Sequence, residues 1–136
     1  MKIEWIEAYS VHVSELDEQH KKLIQLVTAL DEGSKKPDYV KTIQIVLDEL
    51  MAYVLLHFHT EEAYLQSAHY ENLENHKILH RKLAKDVNDR VNEIIAKEPT
   101  ALDVIKLHNF LTNWVNQHIL EEDQKYVESL KVMHDL

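Results

Sequence analysis

Apolar residues recur along this chain at alternating steps of three and four positions, in four separate stretches. This spacing places each apolar set on one face of an α-helix, as in helices that pack around a shared core. The four apolar faces lie within residues 16–30, 40–64, 73–87 and 104–118. We therefore predict an all-α protein whose helices each turn one face inward.

Capping residues and helix breakers predict where the helices begin and end. Ser14 with Asp17, and Thr100 with Asp103, have the spacing of N-terminal capping pairs, and Gly33 is typical of a helix end. The predicted helices span residues 14–33, 37–65, 71–96 and 101–120, followed by a shorter helical piece over 122–132. Short connections make neighbouring helices antiparallel. We predict a single domain over residues 1–136, an up-down-up-down four-helix bundle with a short C-terminal helical extension.

Six side chains that bind metals well occupy positions on these faces where a bundle normally has leucine. An unpaired polar group in an apolar interior costs about 1–3 kcal/mol, and an isolated carboxylate costs far more. A shared metal centre satisfies all of them together. The six residues are His20, His57, Glu61, His76, His80 and His118.

The depth of each candidate ligand can be compared by reflection through the predicted turns. Ligands of the second, third and fourth helices lie equally far from the turns that join them, so they should face each other. His20 and His57 are symmetric about residue 38 or 39, whereas the first predicted turn is centred near residue 35. At 1.5 Å per residue the mismatch is on the order of 10 Å. Either the first connection runs on past Tyr39, or the first two helices are staggered.

Asp123 is a seventh candidate ligand, five residues beyond His118. Five steps along a regular α-helix turn a side chain by about 140° from the starting face. Asp123 can reach the same centre as His118 only if the fourth helix opens near Leu120. We therefore predict a bend or a wide turn between His118 and Asp123.

Five imidazoles and two carboxylates are too many ligands for one ion and suit two. Imidazole-rich ligation favours iron, copper, nickel or zinc over magnesium or calcium. If both carboxylates bridge, the protein supplies nine of the twelve bonds of two octahedral ions, and a bridging oxo or hydroxo group supplies two more. The position left open suits a small neutral diatomic molecule.

Composition narrows the function classes. The chain has 136 residues and no cysteine, which excludes disulfides, iron–sulfur clusters and zinc-thiolate sites. A net charge of −9 without a large basic cluster argues against nucleic acid and anionic membranes as partners. No stretch approaches the ~20 apolar residues of a membrane span, and the N-terminal residues lack an apolar signal region. We expect a cytoplasmic protein.

These residues together resemble the hemerythrin family, in particular the stand-alone bacterial hemerythrins, over essentially the whole chain. The resemblance implies a non-haem di-iron centre of two Fe ions (Fe²⁺/Fe³⁺) with a bridging oxo or hydroxo group, and O₂ as its ligand. It also implies that Glu61 and Asp123 bridge the irons. One iron would be held by three histidines, and the other, which carries the open position, by two. The matching segments are Asp17-Glu18-Gln19-His20, His57-Phe58-His59-Thr60-Glu61-Glu62, the pair His76 and His80, and Trp114-Val115-Asn116-Gln117-His118-Ile119 with Asp123, together with an early Trp5.

The resemblance further implies an apolar wall around the O₂ position. Many family members have leucine after the tryptophan, whereas this chain has Val115. The smaller side chain is expected to open the pocket slightly, which affects the rate of autoxidation and the entry of small anions such as azide. The wall residues are Phe58, Trp114, Val115 and Ile119.

Other polar residues are interpreted as solvated bystanders, because they fall off the inward faces or in turns. His59 lies two residues from His57 and points away from the core. Glu62 and the pair Glu121-Glu122 are assigned to the solvated face. The remaining bystanders are His12, His69, His108 and His134.

Several functions suit such a centre. The leading hypothesis is reversible O₂ binding for carriage, storage or delivery, without enzymatic turnover. The candidate ligands are then O₂, NO and small anions. A recipient oxygenase is a candidate partner. Sensing of O₂, NO or redox state normally needs an output module, for which this chain has no residues left. A di-iron oxidase or peroxidase would have Glu-x-x-His pairs, which this sequence lacks. A zinc site that only holds the bundle together is the remaining alternative.

Overall fold

The regular elements of the computed structural model are helices, which confirms the predicted all-α class. The structure describes the backbone of residues 3–134 and the side chains of residues 3–131. Among the helices in that part, none combines the length and the apolar character of a membrane span. The α-helices are α1 (Ser14–Gly33), α2 (Tyr39–Ser67), α3 (Leu73–Ile95), α4 (Ala101–Gln117) and α5 (Val127–His134); short turns of 3₁₀-helix cover Glu7–Tyr9 and Asp123–Tyr126, and a π-helix covers His118–Glu122.

The four long helices form an antiparallel bundle. Five residues connect each successive pair, at 34–38, 68–72 and 96–100, too few for anything but an antiparallel return. α1 packs against α2 and α4, and α3 packs against the same two helices, so the ring is closed. The segments that follow α4 pack on α2 and on the N-terminal turn.

Two predicted caps have different outcomes. The capping box at α4 is confirmed, since Asp103 N–H donates to Thr100 Oγ1 at 3.2 Å and Thr100 N–H donates to Asp103 Oδ2 at 3.1 Å. The prediction of a Ser14 cap is wrong, because α1 begins with Ser14 itself and has no side-chain cap. Asp17 instead accepts from Ser10 Oγ at 2.6 Å and Val11 N–H at 2.8 Å. Its carboxylate therefore holds the N-terminal arm, residues 3–13, against the bundle.

A stagger between α1 and α2 resolves the mismatch in depth of His20 and His57. Gly33, the last residue of α1, lies beside Thr42, so close that a Cβ atom on Gly33 would be 3.0 Å from Thr42 Cγ2. The first turn of α2 thus extends beyond the end of α1. The His20 and His57 rings come to the same level, with centroids 4.5 Å apart. Glycine at position 33 permits this close approach.

Two apolar clusters leave a polar layer between them. The larger cluster includes Leu23 and Val54, and the smaller one includes Leu16 and Leu65. Along α1, His20 lies between Leu16 and Leu23, and along α2 the residues 57–61 lie between Val54 and Leu65. The candidate ligands therefore occupy one buried layer, shielded from water on both sides.

Candidate metal centre

All seven sequence-predicted ligands meet in this buried layer. α1 contributes one, α2 and α3 contribute two each, and the π-helix and the residue that follows it contribute the last two. None is more than 5% exposed. The seven are His20, His57, Glu61, His76, His80, His118 and Asp123.

The π-helix explains how His118 and Asp123 reach the same point. Asp123 N–H donates to the carbonyl oxygen of His118, five residues back, which widens the turn. The side chains consequently project to the same side, and His118 Nε2 lies 3.1 Å from Asp123 Oδ1. The predicted wide turn between these residues is confirmed.

Glu61 divides its two oxygens between two groups of histidines. Its Oε1 lies 2.6 Å from His76 Nε2 and 3.0 Å from His80 Nε2. Its Oε2 lies 3.6 Å from His20 Nε2 and 3.4 Å from His57 Nε2. The carboxylate therefore spans the boundary between the α3 histidines and those of α1 and α2.

Asp123 divides its oxygens in the same way. Oδ1 lies 3.3 Å from His76 Nε2 and 3.1 Å from His118 Nε2, whereas Oδ2 lies 3.2 Å from His20 Nε2. Two overlapping sets of donors result, each with its donor atoms within 4.8 Å of one another. Both sets contain Glu61 and Asp123. One set adds His76, His80 and His118, hereafter the three-histidine side, and the other adds His20 and His57, the two-histidine side.

Burial and mutual contacts shift the pKa values of this layer. Burial alone would raise the pKa of Glu61, but the surrounding imidazoles, those of His20, His57, His76 and His80, hold it well below its usual value. The pKa of Asp123 is also lowered, since its contacts with His118 and His20 outweigh burial and the nearby charge of Glu61. Both groups are therefore carboxylates at neutral pH.

The histidines respond in opposite directions. Burial lowers the pKa of His20, but contacts with Asp123 and Glu61 outweigh burial and raise it to about 9. The same balance raises the pKa of His76 to about 10 and raises that of His118. Burial prevails at His57 and lowers its pKa. In the metal-free protein, protons on these histidines therefore balance the negative charge of the two carboxylates.

Several polar atoms of this layer fit a bound cation. Imidazole nitrogens and carboxylate oxygens are donors for first-row transition metals, and a cation among them satisfies all of them at once. Among the described residues, the ligand atoms that are buried without a hydrogen-bond partner are both ring nitrogens of His20, Nε2 of His80 and of His118, and both oxygens of Asp123.

Three residues that touch the ligands were not found from the sequence. His57 Nδ1 lies 2.8 Å from Gln19 Oε1, and Tyr126 OH donates to Glu61 Oε2 at 3.0 Å. Glu62 was assigned to the solvated face, and that prediction is wrong, because its Oε2 lies 2.8 Å from His80 Nδ1. Gln19 and Glu62 each sit one position from a ligand, so they border the inward face rather than oppose it.

A narrow apolar cavity with about 200 Å³ of empty space, part of it open to solvent, lies beside His20, His57 and His118. All four residues of the predicted apolar wall line it, together with Leu23, which the sequence did not single out. It is therefore a small apolar space in contact with the candidate ligands. Its lining residues are Phe58, Trp114, Val115 and Ile119, with His20, Leu23, His57 and His118.

The bystander histidines mostly lie where predicted. His12, His59 and His69 are exposed. The prediction for His108 is wrong, because this residue is buried. α4 packs against both α1 and α3, so its buried arc is wider than the single Leu107–Leu111 face. The side chain of His134 lies outside the described residues.

Comparison with known proteins confirms the resemblance inferred from the residues. Residues 11–130 match the hemerythrin HHE cation binding domain. A bacteriohemerythrin of Clostridium acetobutylicum is 29% identical over 128 residues, which cover 91% of this chain and 98% of the relative. One of Campylobacter jejuni is 30% identical over 115 residues, 83% and 84% of the two chains. The crystal structure of a wild-type hemerythrin superimposes with a TM-score of 0.79 at 27% identity, covering 96% of this chain and 98% of that one.

Proposed function

This chain belongs to the hemerythrin HHE cation binding domain family, and we propose that it binds O₂ reversibly at a non-haem di-iron centre. The observation that carries the proposal is the division of each buried carboxylate between two groups of histidines. Glu61 and Asp123 each direct one oxygen to the three-histidine side and one to the two-histidine side. Such a pair of carboxylates is what two adjacent cations require as bridges.

In this proposal the ligands separate by side. His76, His80 and His118 hold one iron, and His20 and His57 hold the other, with the two carboxylates shared. A pair of irons with a bridging oxo or hydroxo group supplies the electrons for reversible O₂ binding. The side with fewer histidines has room for a ligand from outside the protein.

The apolar cavity supports O₂ as that ligand. Both histidines of the side with fewer protein ligands, His20 and His57, line it, together with His118 of the other side. Phe58, Trp114 and Ile119 are buried and line it. Their side chains offer no charged group, so they favour a small neutral molecule and slow the entry of water and anions. NO and azide are small enough to be alternative ligands.

The size of the cavity supports binding without turnover of an organic substrate. It holds no space wide enough for a water molecule, whereas typical small-molecule sites enclose roughly 300–1,000 Å³. Bulkier substrates have no space beside the ligands. We therefore propose an O₂ carrier, store or delivery protein rather than an enzyme.

The test is an optical titration of the full chain reconstituted with iron. Protein reduced anaerobically is exposed to air and then returned to argon, and iron content is measured before and after. We expect two irons per chain and an absorption band that appears in air and disappears under argon. One metal per chain, a preference for zinc, or a band that does not reverse would overturn the proposal.

A further inference from the structure

Two candidate ligands donate their outer ring N–H to acceptors of different charge. We propose that Gln19 and Glu62 are positioning residues that make the two metal positions unequal, so that the three-histidine side favours the higher oxidation state of its metal. The neutral amide of Gln19 contacts His57, and the carboxylate of Glu62 contacts His80. The inference rests on the proposed di-iron centre and deepens it.

The two contacts are matched in geometry. Gln19 Oε1 lies 2.8 Å from His57 Nδ1, and Glu62 Oε2 lies 2.8 Å from His80 Nδ1. Each ring turns its other nitrogen inward, with Nε2 of His57 3.4 Å and Nε2 of His80 3.0 Å from an oxygen of Glu61. Both rings therefore carry a proton on Nδ1 and present the Nε2 lone pair to the centre. The difference between them is the charge of the acceptor.

A further contact fixes the orientation of the Gln19 amide. Its Nε2 donates to Thr60 Oγ1 at 3.3 Å, and Thr60 Oγ1 donates to the Leu56 carbonyl oxygen at 2.9 Å. Since Thr60 uses its proton on Leu56, it can only accept from Gln19. The oxygen of the amide is thereby left to face His57.

Acceptor charge changes the electronic character of a ligand. A carboxylate that accepts the outer N–H increases the basicity of the inner nitrogen and stabilises a more positive metal, and a neutral amide does so less. Removal of such a partner typically changes metal affinity by 10–100-fold. The Glu62 side chain is 26% exposed, so water screens part of its charge and we expect the lower end of that range.

Within the described part of the chain, neither histidine of the two-histidine side donates its outer ring N–H to a carboxylate. His57 contacts a neutral amide, and His20 Nδ1 has no hydrogen-bond partner among the described residues. Both histidines of this side line the apolar cavity, whereas the other side contributes His118 to it. The metal that faces the cavity is therefore the one held more readily in its reduced state, which is the state that gives up electrons to an incoming ligand.

The test exchanges the two acceptors in the full chain loaded with iron. The variants are Glu62→Gln, Gln19→Glu and the double exchange, each close to isosteric, with Glu121→Gln as the control for loss of an exposed charge. An electrode accepts or supplies the electrons in a spectroelectrochemical titration of the two one-electron Fe³⁺/Fe²⁺ steps. Mössbauer spectra of the half-oxidised protein then report which iron environment is ferric.

A tenfold change in the ratio of Fe³⁺ to Fe²⁺ affinity corresponds to 59 mV for one electron. We expect Glu62→Gln to raise the sum of the two potentials by about 59 mV and Gln19→Glu to lower it by a similar amount. The double exchange should restore the sum while reversing which iron is ferric in the half-oxidised state. Glu121→Gln should change neither quantity.

The outcomes separate this inference from the proposed function. If the unaltered chain fails to hold two irons, the di-iron proposal fails and the inference fails with it. If all variants hold two irons but Glu62→Gln and Gln19→Glu leave the potentials within the range of the control, the inference alone is overturned. Shifts of the same sign in both variants would also overturn it.

Discussion

His118 and Asp123 are five residues apart, yet Nε2 of one lies 3.1 Å from Oδ1 of the other. A regular α-helix would turn them about 140° apart, and the π-helix over His118–Glu122 removes that difference. This single irregular turn delivers the second shared carboxylate to the centre. Without it the two donor sets would have Glu61 alone in common.

We predict that Asp123→Ala lowers the retention of both metals, because its two oxygens face both groups of histidines. His118→Ala removes a contact on the three-histidine side and should lower retention of one metal more than the other. Iron per chain is measured after incubation with a chelator. Glu121→Ala, at an exposed position of the same turn, is the control. Equal loss from Asp123→Ala and Glu121→Ala would contradict a bridging role.

Neighbouring histidines of α2 should differ sharply. His57→Ala removes a buried donor. Loss of a residue that only supports a metal ligand typically lowers affinity by 10–100-fold, so loss of the ligand itself should lower it at least tenfold. His59→Ala changes an exposed side chain and should leave affinity unchanged. Competitive titration with a metal indicator compares the two variants. A similar loss in both would mean that the inward face of α2 is assigned incorrectly.

The pH dependence of stability should reverse between metal-free and metal-bound protein. In the metal-free protein the folded pKa of His20 is raised to about 9 and that of His76 to about 10. The unfolded value is about 6.5, so this stabilisation is fully present below about pH 6.5 and is lost as pH rises through the folded values. The melting temperature of metal-free protein should therefore fall between about pH 6.5 and 10.

Metal affinity should rise over the same interval, because protons then cease to compete for the imidazoles. At the acid side, Glu61 and Asp123 have lowered pKa values, so their stabilisation is present above about pH 4 and is lost as pH falls through the folded values. Thermal melts and metal titrations across the pH range measure both trends. Metal-free and metal-bound melts that move in parallel would contradict the competition between protons and metal.

The apolar wall should determine how long the oxygenated protein survives. Phe58→Ala or Ile119→Ala enlarges the cavity and admits water, so autoxidation should accelerate while iron content stays unchanged. Each variant should also lower the free energy of unfolding by about 2–5 kcal/mol. Val115→Leu narrows the cavity and should slow autoxidation or azide entry. Decay of the oxygenated absorption band, with and without azide, is the measurement; unchanged decay in all three variants would contradict this role.

The capping box of α4 offers a stability test remote from the centre. Thr100→Ala removes the side-chain acceptor for Asp103 N–H, and we expect a loss of about 1 kcal/mol in the free energy of unfolding. Urea denaturation of the metal-free protein measures it. Metal content should be unaffected, since Thr100 is distant along α4 from His118. Loss of metal in this variant would show that the start of α4 controls the ligand layer.

The helices, their inward faces and the seven donors could all be predicted from the order of residues along the chain. Helical periodicity is local, so the three- and four-residue steps assign each side chain to a face without knowledge of its neighbours. The same local geometry required a wide turn between His118 and Asp123, because a regular helix cannot align residues five apart.

Relationships between helices depend on packing and could not be predicted from residue spacing. The stagger of α1 and α2 depends on how closely Gly33 approaches Thr42, a contact that no periodicity encodes. The contacts of Gln19 and Glu62 with the histidine rings, and the burial of His108, depend on which neighbour covers the border of each inward face. Local spacing fixes the direction of a side chain from its own helix axis, whereas packing between helices fixes what that side chain meets.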